Sequence, residues 1–267
     1  MKLFFNLEEV TDVASLLGKF GSDAFASPYR STVPLVALVK DGGPVFSAIA
    51  TSCGASLDLS VHFEYRVEVP GVLGNPSQTD AMVISPAATV AFEAKWTEPR
   101  YETVATRLKN RVAKLTRDDP DNAARHQSHQ EAVIGGWLGL LNQRCQTALR
   151  IDDISEAVYQ TVHRAASACA MHGPARLAYI HFQPSGRLGA ASSAQYVADL
   201  EYLHARLGHP GDFPFYLVEL PLQPTDGFRS IQALEKGQAI TDRRVREAIA
   251  STRLFDFGEP RIQRIGA

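Results

Sequence analysis

Three charged residues stand inside apolar segments of this sequence, where a charge needs a partner. Asp80 lies in the run TDAMVIS, and Glu93 and Lys95 lie in the run ATVAFEAKW. Burying a charge costs several kcal/mol unless the charge is paired or binds a metal. Two neighbouring carboxylates suit hard cations such as Mg²⁺ or Mn²⁺, and an ammonium group beside them can orient a water molecule. These residue types therefore indicate metal-dependent attack of water on phosphorus.

Two neighbouring strands are predicted to position the charges. Their apolar runs, at 79–85 and 88–96, are separated by a proline and small residues, which is the pattern of a hairpin. Side chains alternate along a strand, so Glu93 and Lys95 share one face. In an antiparallel pair Asp80 lies near that face. The alternative is a structural ion pair of Lys95 with Asp80 or Glu93, such as surface strands carry.

The spacing of these residues resembles the pattern of the PD-(D/E)XK nuclease superfamily, which has the restriction-endonuclease-like fold. That pattern is an acid on one strand and Glu/Asp-x-Lys on the next. Here Asp80 is followed, thirteen residues later, by the segment EAK that begins at Glu93. Thr79 precedes the acid in place of proline. The resemblance covers about residues 60–183.

The resemblance implies a role for each residue of the motif. Asp80 and Glu93 are implied to bind Mg²⁺ or Mn²⁺ with help from the backbone carbonyl of Ala94, and Lys95 is implied to serve the attacking water. The implied enzyme is a Mg²⁺-dependent endonuclease that hydrolyses phosphodiester bonds in DNA, in restriction, defence or repair. RNA stays open as a substrate. Cleavage of two strands is often done by two copies, so a homodimer is also implied.

Members of the superfamily often add an acid from an earlier element and a glutamine from a later helix. In FEYRVEVPG, Glu64 and Glu68 share one face of a predicted strand. We favour Glu64 as the further catalytic and metal-binding residue. Gln160 is the accessory candidate, on a helix face that it shares with Arg164 and Ser167. For the strand and for the helix, the alternative is a polar face exposed to solvent.

A basic row follows the motif along the chain. Arg107, Arg111 and Lys114 recur at helical spacing beside an apolar stripe, so they could neutralise several phosphates of DNA. The alternative is a solvated helix face. Trp96 and Tyr101, just past the motif, could stack on a base or simply pack.

The pattern along the chain predicts an α/β fold. Residues 60–69 alternate like a half-buried strand, whereas residues 102–115 and about 153–172 have helical periodicity. Residues 116–130 are polar and indicate a loop or a frayed helix start. The apolar segment 34–52 is interrupted by two glycines and a proline. The predicted order is three strands, helices, a strand, a helix and a strand.

From this order and the resemblance we expect a restriction-endonuclease-like mixed central sheet flanked by helices. The predicted organisation is one nuclease-like domain over residues 1–267, with a core at about 60–183 and a C-terminal α/β extension at 184–267.

The composition excludes several other classes. The formal charge of −2 provides no overall attraction to nucleic acid, so binding would need a local basic patch. The three cysteines are too far apart to indicate a disulfide framework or a thiolate zinc site. Zincin, P-loop, dinucleotide-binding and nucleophile-elbow motifs are absent from the sequence. An apolar run near eighteen residues is also absent, so we expect a cytoplasmic protein without membrane contact.

Two other functions stay open. The same fold could be a catalytically inactive module that binds nucleic acid or a protein partner, with the three charges as an ion-pair cluster. An enzyme unrelated to nucleic acid could instead use a pocket around His126, His163 or Gln160.

Overall fold

One mixed β-sheet runs through the chain. The computed structural model describes residues 1–73, 76–185 and 188–266, apart from the side chain of Ala239. Within them the sheet has nine strands flanked by helices, so the fold is α/β. The strands are β1 (Lys2–Phe5), β2 (Glu8–Val10), β3 (Ser60–Val67), β4 (Ser77–Ile84), β5 (Thr89–Lys95), β6 (Ala175–Gln183), β7 (Phe215–Pro224), β8 (Phe255–Phe257) and β9 (Arg261–Arg264). The helices are α1 (Val13–Lys19), α2 (Thr32–Asp41), α3 (Gly43–Ser52), α4 (Val104–Asp118), α5 (Ala123–Cys145), α6 (Tyr159–Cys169), α7 (Ser193–Arg206), α8 (Asp226–Arg229) and α9 (Ala239–Ser251).

The strands that carry the motif lie in the middle of the sheet. The strand order is β2-β1-β3-β4-β5-β6-β7-β8, and β9 also pairs with β7. β3, β4 and β5 form an antiparallel meander, whereas β6 runs parallel to β5 and β7 parallel to β6. Parallel neighbours need a long crossover, which α4, α5 and α6 supply between β5 and β6. The predicted hairpin is confirmed by the antiparallel pairing of β4 with β5.

The sheet separates two hydrophobic cores. The first core includes residues of α1, α2, α3 and α9 and contains Val90 and Phe92 of β5. The second includes residues of α5, α6 and α7 and contains Ala91. Because side chains alternate along a strand, Glu93 and Lys95 point toward the second core. β5 is buried along its whole length, so both charges lie in the interior.

β3 changes face halfway along its length. Val61 and Phe63 belong to the first core. Tyr65 and Val67 belong to the second core, although simple alternation would leave them on the first. Between the two pairs, Glu64 has a φ of 51°, in the left-handed region that bulky residues rarely adopt. The prediction that alternate residues of this strand all point to one face is therefore wrong, because the side chains change faces at Glu64.

Two helices begin elsewhere than periodicity predicts. α6 begins only at Tyr159, and a separate 3-10 turn at Ile151–Ile154 overlaps the start of the helix predicted at about 153–172. α5 already begins at Ala123, inside the stretch predicted to be a loop or a frayed helix start. The predicted helix that follows the motif is confirmed as α4.

The N-terminal and C-terminal segments complete the sheet and its layers. The predicted interruption of the apolar segment is confirmed, since α2 and α3 are separate helices and Pro44 lies in the first turn of α3. The described part of the predicted extension, 184–267, adds β7, β8 and β9 to the same sheet. Among the described residues, no single helix is long and apolar enough to cross a membrane. α2 and α3 together have the required length and composition, but as a pair bent by 104°.

Candidate active site

Three acidic residues form a row across the middle strands. The β3–β4 register places Glu64 opposite Asp80. The β4–β5 register, continued by one position, places Asp80 opposite Glu93. Tyr179 of β6 pairs with Glu93 and ends the row. The antiparallel meander therefore brings together carboxylates that are far apart in the sequence.

The regular ladder between β4 and β5 ends beside Asp80. Its last backbone pair joins Ala81 and Phe92. Beyond that pair, Oδ2 of Asp80 accepts a hydrogen bond of 2.8 Å from the backbone N–H of Ala94. Oδ1 lies 4.0 Å from Nη2 of Arg164, and the Asp80 side chain is 24% exposed. One carboxylate oxygen is thus held by the neighbouring strand, while the other accepts no hydrogen bond from the described residues.

Glu93, Lys95 and Gln160 form a closed triangle of hydrogen bonds. Nζ of Lys95 donates to Oε1 of Glu93 at 2.8 Å and to Oε1 of Gln160 at 2.6 Å. Nε2 of Gln160 donates to the same Glu93 oxygen at 2.6 Å. The side chains of Glu93 and Lys95 are each only 2% exposed. Because a carboxylate oxygen offers about two lone-pair sites, Oε1 of Glu93 is saturated.

Arg164 of α6 joins the two acids of the motif. Its Nε donates to Oε2 of Glu93, its Nη1 donates to Oγ of Ser77 at 2.9 Å, and its Nη2 lies near Asp80. The sequence placed Arg164 on one helix face with Gln160 but gave it no role. The alternative of an exposed polar face is wrong for this helix, because Gln160 and Arg164 are each only 7% exposed.

Ser77 and His163 form a hydrogen-bonded pair beside the guanidinium of Arg164. Oγ of Ser77 lies 2.9 Å from Nδ1 of His163. Since arginine can only donate, the Ser77 hydroxyl accepts from Arg164 and directs its own proton to His163. Burial, reinforced by the charge of Arg164, lowers the pKa of His163 well below its ordinary value. The imidazole is therefore neutral at neutral pH and accepts this proton.

The two acids of the motif have opposite pKa shifts. Burial acts to raise the pKa of Glu93, but the charges of Arg164 and Lys95 outweigh it and leave the pKa lowered. Burial, together with repulsion from Glu93, raises the pKa of Asp80 well above its ordinary value. The cations of the cluster therefore stabilise the charge of Glu93, whereas the charge of Asp80 is only partly compensated.

Lys95 carries a proton at neutral pH. Burial acts to lower its pKa, but Glu93, and to a lesser extent Tyr101 and Asp80, leave the pKa raised. Nζ also lies 4.5 Å from the centre of the Tyr101 ring, which is 47% exposed. Lys95 therefore donates hydrogen bonds and contributes a positive charge to the site, and it does not act as a base.

Glu64 is the acid of the row that lacks a partner. Among the described residues its side chain makes no hydrogen bond and no ion pair. Burial raises its pKa, which the charge of Arg164 opposes and the charge of Glu93 reinforces. Its left-handed backbone costs free energy of about 1–3 kcal/mol, and such strain is concentrated at functional sites.

The charged side chains of this cluster line one open cleft of about 930 Å³, together with Ser77, Gln160 and His163. Seven basic residues and five acidic residues line it, an excess of positive charge in a chain whose formal charge is −2. The basic residues are Lys19, Arg30, Arg66, Lys95, Arg107, Arg164 and Lys236. The acidic residues are Asp23, Glu64, Asp80, Glu93 and Glu98. The cleft is therefore suited to an anionic ligand.

Several predicted site residues lie outside the cleft. Glu68 is exposed and does not line it. Of the basic row on α4, Arg107 lines the cleft but is paired with Glu102 at 3.0 Å. Arg111 and Lys114 do not line it. The structure therefore brings only one member of this predicted row to the other site residues.

The two aromatic candidates behave differently. Trp96 is 4% exposed and packs edge-on against Phe228 and Phe255, so its ring is part of the first core. Tyr101 lines the cleft beside Lys95. Of the histidines proposed for other chemistry, His163 lines the same cleft and His126 does not.

The sequence pattern of the family DUF6946, a domain of unknown function, matches residues 6–212. The chain belongs to this family. The comparisons of this chain with the curated proteins and with the solved structures found no match. The range matched to DUF6946 includes the whole cluster from Glu64 to Arg164 and ends before β7.

The donor atoms of this DUF6946 site fit a hard cation in part. Among the described residues, no three His, Cys, Asp or Glu side chains gather as a metal-binding group. However, Mg²⁺ commonly uses only one or two protein carboxylates and keeps several waters. Oδ1 of Asp80 is open, Oε2 of Glu93 accepts one hydrogen bond, from Arg164, and Glu64 has no partner among the described residues. Asp80 and Glu93 could therefore hold such an ion together with bound waters, and Glu64 stays a candidate by resemblance.

Proposed function

We propose that this chain is a Mg²⁺- or Mn²⁺-dependent endonuclease that hydrolyses phosphodiester bonds in DNA. We also infer that its mixed sheet is a restriction-endonuclease-like fold and its site a PD-(D/E)XK site. The observation that carries the proposal is the buried ion pair of Glu93 and Lys95. The pair lies beside Asp80 in a cleft with an excess of basic residues. Charges at interior strand positions are costly, and a functional site gives a reason to retain them.

The acids would hold the metal. Oδ1 of Asp80 and the remaining lone pair on Oε2 of Glu93 are the available donors, with Glu64 as a third, and the backbone carbonyl of Ala94 stays a candidate by resemblance. When bound, the ion would stabilise negative charge on the phosphoryl oxygens and favour ionisation of a bound water. The raised pKa of Asp80 supports this assignment, because a nearby cation would relieve the repulsion between Asp80 and Glu93.

The chain's own residues supply the remaining functions. Hydrolysis adds water across one P–O ester bond, which leaves a phosphate on one side of the break and a hydroxyl on the other. The protonated Lys95 can donate to the attacking water or to a phosphoryl oxygen. Gln160 fixes the Lys95 ammonium, and Arg164 fixes Glu93. Each role follows from the hydrogen bonds of the cluster.

Cleavage of plasmid DNA in the presence of Mg²⁺ or Mn²⁺ tests the proposal. Asp80→Asn and Lys95→Met keep the approximate shape of each side chain, and we expect each to lower the cleavage rate by about 100-fold or more. Glu68→Gln and Lys114→Met are matched controls outside the cleft and should cleave normally. Retention of activity in both cleft variants, with circular dichroism showing folded protein, would refute the site.

A second candidate is a catalytically inactive module of the same fold. The three hydrogen bonds that Glu93 accepts from Lys95, Gln160 and Arg164 favour it, because a carboxylate with several charged partners is also typical of a structural ion-pair cluster. Titration with Mn²⁺ followed by calorimetry separates the two. The nuclease requires binding that Asp80→Asn removes and Glu68→Gln does not. A structural cluster gives no binding that depends on Asp80.

A further inference from the structure

We infer that Arg30, Arg66 and Lys236 form a phosphate-binding rim that holds the sugar-phosphate backbone of a nucleic acid beside Glu64. The inference rests on the proposed function and names where its substrate binds. It differs from the sequence expectation, in which the basic row of α4 makes these contacts.

The basic residues that line the cleft differ in whether they have carboxylate partners. Four of the seven already have carboxylate partners: Lys95 and Arg164 are paired with Glu93, Lys19 with Glu8 and Arg107 with Glu102. Within the described chain, the side chains of the other three make no hydrogen bond and no ion pair. These three, Arg30, Arg66 and Lys236, are exposed to solvent. Their donors are therefore available to a ligand.

These three cations come from distant parts of the chain and line the same cleft. Arg30 precedes α2, Arg66 lies on β3, and Lys236 precedes α9. The segment of Lys236 is attached to the segment of Arg30 by a backbone hydrogen bond of 2.8 Å from Gly237 to Ala26. The fold therefore brings a C-terminal cation to the mouth of a cleft built mainly by the N-terminal two thirds.

Arg30 and Arg66 lie around Glu64, the acid that begins the row leading to Asp80. All three residues line the same cleft, and Arg66 is two positions after Glu64 on β3. The charges of both cations act on Glu64. Two other acids of the cleft do not pair with them. Asp23 makes no ion pair with a described residue, and Glu98 accepts hydrogen bonds from the backbone N–H groups of Ser31, Trp96 and Thr97. An anion bound to this rim would therefore lie beside Glu64 and Asp80.

A strand of nucleic acid matches this arrangement, because it presents a phosphate about every 3.4 Å and arginine and lysine bind phosphate without reading the bases. The contacts should therefore be independent of sequence. DNA and RNA share this chemistry, and the reaction centre does not decide between them. The rim predicts binding that weakens steeply with salt.

Binding of labelled oligonucleotides, followed by fluorescence anisotropy in EDTA, tests the rim without cleavage. Single-stranded DNA, duplex DNA and RNA of one sequence are compared over about 50–200 mM salt. We expect the triple variant Arg30→Ala/Arg66→Ala/Lys236→Ala to reduce the magnitude of the slope of log K against log salt by about 2 units for single strands and about 3 for duplex DNA. The matched control, Lys109→Ala/Arg111→Ala/Lys114→Ala, removes the same charge from α4 and should retain the slope.

The outcomes separate the rim from the proposed function. Equal slopes for the two triple variants, a larger loss in the α4 variant, or no binding of any oligonucleotide would overturn the rim. Binding that depends on the rim, in a protein that never cleaves, would support the rim and reject the nuclease. Cleavage by the wild type together with unchanged binding by the rim variant would support the nuclease and reject the rim.

Discussion

The two faces of the central sheet use neighbouring positions of the same strands for opposite purposes. On β5, Phe92 and Ala94 are enclosed by the first core, whereas Glu93 and Lys95 meet Gln160 and Arg164 on the other face. Both faces are equally buried. Burial alone therefore does not distinguish packing from chemistry. The difference is that one face is satisfied by apolar contacts and the other only by a complete set of charge partners.

The largest expected effect follows from removing one charge of the polar face. Arg164→Met keeps the length of the side chain but leaves Glu93 buried with fewer partners. We expect it to lower the free energy of unfolding by about 3 kcal/mol, the lower end for breaking a buried ion pair, because Lys95 and Gln160 remain. Urea denaturation measures the loss. Arg111→Met on α4 is the control and should change stability by less than about 0.5 kcal/mol. An equal, small loss of stability in both variants would show that the charge cluster contributes little to folding.

The second effect concerns Asp80 and depends on pH. Its folded pKa is raised, so its contribution to stability is fully present below about pH 3.8, its ordinary pKa, and is lost as pH rises through the folded value. Asp80→Asn should therefore be more stable than the wild type at neutral pH, and the advantage should disappear on acidification to pH 3.8. Urea unfolding in EDTA across this pH range tests the sign. The control Asp58→Asn, at an exposed position, should change stability by less than about 0.5 kcal/mol, and a less stable Asp80→Asn at neutral pH would contradict the prediction.

A third variant tests the apolar face. Ile180 of β6 is fully buried in the first core, so Ile180→Val should cost about 0.5–1.5 kcal/mol of stability. Because the residue does not face the cleft, the proposed DNA cleavage, measured well below the melting temperature, should be unchanged. Loss of cleavage in this folded variant would mean that the two faces are not separable.

The smallest effect is expected at the backbone of Glu64. Glycine adopts positive φ without strain, so Glu64→Gly should preserve or raise stability, by up to about 1 kcal/mol, while removing the carboxylate and hence cleavage. The matched Glu68→Gly gains no such relief and should cost about 0.5–1 kcal/mol. Chemical denaturation compares the pair. Equal losses of stability would show that the strain at Glu64 is negligible.

The strand positions of the candidate site were predictable, but the partners of its residues were not. The alternation in ATVAFEAKW is local, and it correctly separates Glu93 and Lys95 from Phe92. The role of Arg164 depends on where α6 docks over β5, which no local pattern encodes. A signal was present in the polar positions Gln160 and Arg164, one helical turn apart in a helix rich in small residues.

The rim and the change of face in β3 were also beyond local reasoning. Glutamate is not a residue type that indicates positive φ, so the change of face at Glu64 could not be predicted from its residue type. Arg30 and Lys236 are 206 positions apart in the sequence, and only the docking of the α8–α9 segment onto the loop before α2 brings them together.

The sequence by itself determined the α/β class, the motif hairpin and the acids and lysine that the hairpin carries, because a strand with period two and an interior charge are local features. The tertiary structure decided which charges are paired, which are open and which line the cleft. The reason is that pairing and solvation depend on distances between segments remote in the chain, and these are set by sheet register and helix docking.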